Sequence, residues 1–233
     1  MPRPKAEPGP PAEATLRLTI EFDGAGLAGW QVQPDRPTVQ GALEAAFAAV
    51  TGARPTVHGC GRTDAGVSAR RYVASVRLAT RLAPEKLRLA LNWHLPEEIH
   101  VHAIEPAPAG FHARHDARRK TYVYRIVRGV SPLRRRHAWQ FRYPLDAGRM
   151  LKVARLFVGR RDYRNFCLTR DENGTCRVFG VGVTELGDEI TVAVTGDRFL
   201  YKMVRRIVGA LVGYGARRLT VRDIRAALAG RPH

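Results

Sequence analysis

The stretch Gly59-Cys60-Gly61-Arg62-Thr63-Asp64-Ala65-Gly66-Val67 sets three glycines around one arginine and one aspartate. Glycine allows close backbone approach, so such a loop can present a side chain at short range. Neither familiar glycine-loop cofactor motif fits. Asp64 stands where a dinucleotide fingerprint needs its third glycine, and no Gly-Lys-Ser/Thr follows to cradle phosphates. An aspartate among arginines stays ionised because positive neighbours lower its pKa, and an ionised carboxylate can act as nucleophile or general base. On spacing alone an ordinary inter-strand turn accounts for the glycines equally well. An acidic residue in so basic a chain tips the balance slightly toward chemistry.

Basic residues form the second set. Arg118, Arg119 and Lys120, the run Arg134-Arg135-Arg136, and Arg160-Arg161 are candidates for a phosphate track. Each one alone reads as a solvated surface charge, but the set is hard to dismiss. Metal chemistry has weaker support: His112 and His115 lie three apart and His100 and His102 alternate, yet no carboxylate or cysteine completes a ligand set, so no metal is expected. Phe22, Trp30 and Trp93 are expected as core or cleft wall rather than as base-stacking platforms.

The elements that must position these groups follow from periodicity. Residues 1–13 are Pro-rich and read as a flexible tail. Strand alternation over 15–21, a helix capped by Thr38 and ended by Gly52, strands near 56–58 and 72–78, a helix opened by Pro84 and stopped by Pro96, and a strand over 99–104 give β-α-β-β-α-β. The second half starts the pattern again with a strand at 121–127, a helix at 146–158, strands at 177–185 and 190–195, and a helix at 202–214. A short helix at 221–229 then stands where a closing strand is expected. The reading is a tail (1–13), a first half carrying the glycine loop (14–110), and a basic second half (111–233) lacking its last strand.

Composition bounds the partners. The chain has 233 residues, 39 Lys plus Arg against 21 Asp plus Glu, and a net charge of +18. With 45% hydrophobic residues it is a folded protein rather than a disordered polycation. Only five of the cations are lysine, and the remaining arginines have planar forks that hold phosphate bidentately. Residues 1–110 carry 12 basic and 11 acidic residues, whereas 111–233 carry 27 and 10. Such a charge implies a polyanion, most plausibly nucleic acid. No apolar run is long enough for a membrane span and no signal-peptide core is present, so a cytoplasmic protein is expected. Cys60, Cys167 and Cys176 form no CxxC pair and read as free thiols.

The segment GCGRTDAGVSA resembles the GxGRTDAGVHA signature of the tRNA pseudouridine synthase A (TruA) family. FDGAGLAGWQVQ (22–33), TVQGALEAA (38–46), ALNWHLP (90–96), FHARHDARRKTYVYRI (111–126) and MVRRIVGALVGYG (203–215) follow in the family's order. The resemblance implies an α+β pseudouridine synthase fold. In it, two ferredoxin-like (βαββαβ) halves share a mixed, mostly antiparallel central sheet, with helices on one face and an active-site cleft between the halves. It further implies a homodimer without cofactor that isomerises uridine to pseudouridine at positions 38, 39 and 40 of the tRNA anticodon stem-loop. Asp64 matches the nucleophile, and Arg62 would pair with a phosphate or with that carboxylate. Tyr122 matches the active-site tyrosine that stacks on uracil and assists proton removal, and Arg205 matches a basic partner of the carboxylate, while Arg206 reads as solvent-facing. The sequence departs from the family pattern at Cys60, Ser68, RDYRNF (161–166) and Asp197, and by ending before the AP-x-GL segment and its strand.

A competing reading is a non-catalytic RNA-binding protein with two RRM-like halves. It expects an aromatic RNP1 strand that the sequence lacks, and it gives Asp64 no task. A phosphate-ester hydrolase would need a cluster of carboxylates for metal that is also missing.

Overall fold

The computed structural model describes residues 12–168 and 173–230. All but the last two residues of the expected tail lie outside them. The chain divides into two compact units, Met1–Ala117 and Arg118–His233. This boundary falls later than the expected one at 110, because the intervening residues are tied to the first unit: Ala113 N–H donates to the buried Ser75 Oγ at 3.0 Å.

In the first unit β1 (Glu13–Phe22), α1 (Val39–Thr51), β2 (His58–Gly59), β3 (Ala69–Ala79), α2 (Pro84–His94) and β4 (Ile99–Pro106) keep the expected order. The strands are antiparallel throughout, arranged β2-β3-β1-β4, which is the ferredoxin-like sheet. Alternate residues of β1, from Leu16 to Phe22, are buried and share one core with Leu43 and Phe47 of α1 and Leu87 and Leu91 of α2. Each fully buried side chain of this kind contributes about 1.5–3 kcal/mol. Thr38 Oγ1 accepts the Gly41 N–H at 3.2 Å to start α1, and Gly52, at φ 74°, ends it. Trp93 corrects an expectation. It is 87% exposed, because Leu87 and Leu91 take the buried stripe of α2 and a residue two positions beyond Leu91 faces the other way.

The second unit contains β5 (Lys120–Arg128), β6 (Trp139–Phe141), α3 (Ala147–Ala154), β7 (Gly159–Asp162), β8 (Thr175–Leu186), β9 (Glu189–Gly196), α4 (Met203–Gly215) and α5 (Val221–Leu228). Its sheet runs β6-β5-β9-β8-β7, so β8-β9-β5 repeats β2-β3-β1 of the first unit. On the outer edge of β5, β6 holds the place that β4 takes beside β1, but in parallel and only along Ile126–Arg128. No strand follows α4 among the described residues. The expected helix at 146–158 ends at Ala154 and tightens into a 3-10 turn, Arg155–Phe157, before Val158 extends. Ile126, Val192 and Val194 pack against Met150, Ile207 and Leu211 in a second core. Each unit thus has its own sheet, four-stranded in the first and five-stranded in the second, antiparallel but for the pairing of β6 with β5, and the α+β class is as expected. No helix among the described residues is long and apolar enough to cross a membrane.

Candidate active site and nucleic-acid interface

The glycine loop connects β2 to β3, and its shape is set from behind by residues 22–30. Trp30 and Tyr72 stack with ring centroids 4.4 Å apart, and Phe22 meets Tyr72 edge-on at 5.4 Å. All three rings are buried, as core rather than as base platforms. The Tyr72 hydroxyl donates to the Gly61 carbonyl. Trp30 N–H donates to Thr63 O at 3.2 Å, and Gly66 N–H donates to Leu27 O at 3.2 Å.

The glycines are needed where backbone meets backbone. A Cβ on Gly24 would lie 2.2 Å from Val67 O, and one on Gly29, whose φ is +102°, would lie 2.5 Å from Thr63 O. The motif at 22–33 and the loop at 59–67 are therefore two sides of one packed contact. Ser68 adds a polar link: its Oγ donates to Asp23 Oδ1 at 3.0 Å and accepts Gly24 N–H at 3.0 Å. Asp64, half-buried, and Arg62, exposed, are presented together on this braced loop. Such a group loses little conformational freedom when substrate arrives.

In the second unit Tyr122 lies on β5 opposite Val194 of β9, half-buried, with its ring edge-on to Phe199 at 5.2 Å. Arg205 is exposed in the first turn of α4. Arg206 is exposed, as expected, and its guanidinium donates to Asn165 O at 3.0 Å.

The basic residues separate in the same way. Arg134 grips Asp188 with both nitrogens of its fork, one at 2.9 Å, and holds that carboxyl below the usual aspartate range. It is committed within the protein. Arg135, Arg136, Arg118, Arg160 and Arg161 are exposed, and Arg161 Nε donates to Val158 O at 3.4 Å. Arg119 lies over the Phe179 ring at 4.9 Å, with Arg177 at 5.3 Å from the same ring. Lys120 is half-buried at the start of β5. Sequence reasoning missed Arg177 and Phe179, because isolated residues on a strand carry no pattern.

The chain as a whole is similar to proteins of one family. Residues 153–232 match a family model described as tRNA pseudouridine synthase. A Brevibacillus brevis protein named tRNA pseudouridine synthase A is 41% identical over 218 residues, covering 92% of this chain and 89% of the relative. Proteins of the same name from Bradyrhizobium diazoefficiens and Moorella thermoacetica are 44% and 43% identical, covering 92% and 93% of this chain and 90% of each relative.

Proposed function

The chain belongs to the tRNA pseudouridine synthase A family, and on that premise we propose that it isomerises uridine to pseudouridine in tRNA, at positions 38, 39 and 40 of the anticodon stem-loop, with Asp64 as nucleophile. The observation that carries the reading is the loop itself: an aspartate and an arginine held on a glycine backbone that buried aromatic rings brace from behind. In the reaction the bond from the ribose C1′ to uracil N1 breaks, a bond from C1′ to C5 forms, the C5 proton leaves, and N1 gains a proton. A carboxylate can hold the broken intermediate by attack on the sugar or on the base. Tyr122 stacks on the uracil and assists removal of the C5 proton, and Arg205 pairs with the carboxylate.

A uracil inside a stem must first turn out of the stack, at a cost of a few kcal/mol. Arg62 and the cations Arg118, Arg119, Lys120, Arg135, Arg136, Arg160 and Arg161 hold the RNA meanwhile, with Arg177 and Phe179 added to them. The protein works as a cytoplasmic homodimer and needs no cofactor.

The second reading, a non-catalytic RNA-binding protein, draws support from the ferredoxin-like sheet of the first unit but leaves the braced aspartate idle. Release of tritium from carbon five of uracil in tRNA separates the two. Wild type is expected to release it, and Asp64→Ala to lose at least about a thousandfold of the rate. Equal release by both proteins would remove Asp64 from the chemistry, and release by neither would favour the binding protein.

A further inference from the structure

The mechanism leaves unused a group of histidines beside the glycine loop. His58 on β2 and His112 and His115, which follow β4, line one cavity of about 290 Å³ together with Arg62, Arg114 and Gln40. The rings of His58 and His112 are 4.7 Å apart, and those of His112 and His115 are 4.4 Å apart. Every one of these residues belongs to the first unit. The cavity lies near the roughly 300 Å³ lower bound of small-molecule pockets, a size for a small anion rather than a dinucleotide.

The chemistry of the lining points the same way. Two arginines and three imidazoles line the cavity, and no carboxylate does. The nearby Asp116 carboxylate accepts the His112 backbone N–H at 2.8 Å. A metal does not suit it: no group of three or more His, Cys, Asp or Glu among the described residues is placed to hold one, and the two guanidinium groups repel a cation. His112 Nδ1 accepts the Arg114 N–H at 3.2 Å, which leaves Nε2 to carry the proton of the neutral ring. Burial, and then the neighbouring His115 and His58, hold His112 below the ordinary histidine range, while Asp116 pulls the other way. Gln31, before α1, and Gln40, in its first turn, add no charge. A charge on His112 is therefore disfavoured until an anion enters.

We propose that this cavity is a proton-linked phosphate site that takes a phosphate group, from the RNA backbone or from free phosphate, and fills as the pH falls through the histidine range. An anion beside His112 offsets the burial and repulsion that oppose its charge and raises its proton affinity, so binding takes up a proton. By linkage, affinity then changes about tenfold per pH unit for each proton taken up. Only the RNA source rests on the tRNA reading; the site does not.

The test is an NMR titration of the histidine ring signals of the full chain with sulfate, which keeps its charge across the range, and in parallel with inorganic phosphate, at pH 5.5 and 7.5. Saturable shifts are expected at His58, His112 and His115 and not at His100 and His102 of β4, with sulfate at least tenfold tighter at pH 5.5. Shifts spread evenly over all the histidines, or an affinity indifferent to pH, would overturn the proposal. Arg114→Gln, with its amide spectrum retained, is expected to weaken sulfate at least tenfold; full affinity in that variant would also overturn it. Displacement of bound sulfate by tRNA assigns the site to the RNA backbone, and joint binding of both assigns it to free phosphate; either supports the site. Sulfate binding is expected to be intact in Asp64→Ala, so failure of the nucleophile reading leaves this one standing.

Discussion

The first unit closes β1 along most of its length with the eight-residue β4, whereas the second closes β5 with only the three residues of β6. Residues 1–110 are nearly neutral in charge, while 111–233 hold 27 basic and 10 acidic residues. One strand order thus supports two uses. The first sheet carries a loop whose backbone is fixed to within van der Waals contact, and the basic unit carries exposed cations on strands and loops. Precision and charge are placed in different sheets, so they can be disturbed separately.

The largest disturbance is expected from Gly24→Ala. Its Cβ would sit 2.2 Å from Val67 O, backbone against backbone, so the loop must move. Overpacking of this kind costs about 1–3 kcal/mol, and a displacement of about 1 Å at a reacting group costs about a hundredfold in rate. Isomerisation should fall about a hundredfold while the salt dependence of tRNA affinity changes by no more than the one phosphate contact of Arg62. A larger change would show that the loop grips the RNA through more than that arginine.

Next in size is Tyr163→Phe, which addresses only the second unit. Tyr163 is fully buried and its hydroxyl donates to Phe157 O, so its removal leaves a buried carbonyl unpaired at a cost of about 1–2 kcal/mol. Burial pushes the Tyr163 phenol up to about 12, above the ordinary value near 10. A raised folded value means that this contribution is whole below about pH 10 and is lost as the pH rises through about 12. Wild type should therefore lose thermal stability over that window faster than Tyr163→Phe does. Parallel curves would assign the alkaline loss to other groups.

A smaller effect separates cations within one loop. Replacing Arg135 and Arg136 together by alanine should flatten the salt dependence of tRNA affinity by roughly one unit of slope per lost phosphate contact. Arg134→Ala should leave the slope alone, because its fork is already closed on Asp188. A slope change in Arg134→Ala equal to that of the pair would mean that RNA displaces the internal partner.

Much of this was legible in the sequence, for physical reasons. Strands such as β1 and β9 bury every second residue, and α1 has both its Thr38 cap and its Gly52 stop, so they announce themselves. The strands β6 and β7, of three and four residues, are too short for alternation to register. Asp64 and Arg62 stand out as candidates through their glycines. The histidine cavity was not, because His58 meets His112 only after β3, α2 and β4 have folded the chain back. Arg134 looked identical to its two neighbours, and only the position of Asp188 distinguishes it.

The smallest effect is the sharpest test of how the first unit braces its loop. The Ser68 hydroxyl links Asp23 to the Gly24 N–H, each at 3.0 Å. If backbone packing between 22–30 and the loop sets the geometry, Ser68→Ala removes one exposed polar link and water replaces it. The cost is then about 0.5–1 kcal/mol, a fall in Tm of about 2 °C, with isomerisation within threefold of wild type. A loss as large as that of Gly24→Ala would place the brace in the Ser68 hydroxyl. The first unit would then rest its precision on one exposed side chain, as the second rests its grip on exposed charges, and the contrast between the two units would narrow to their charge.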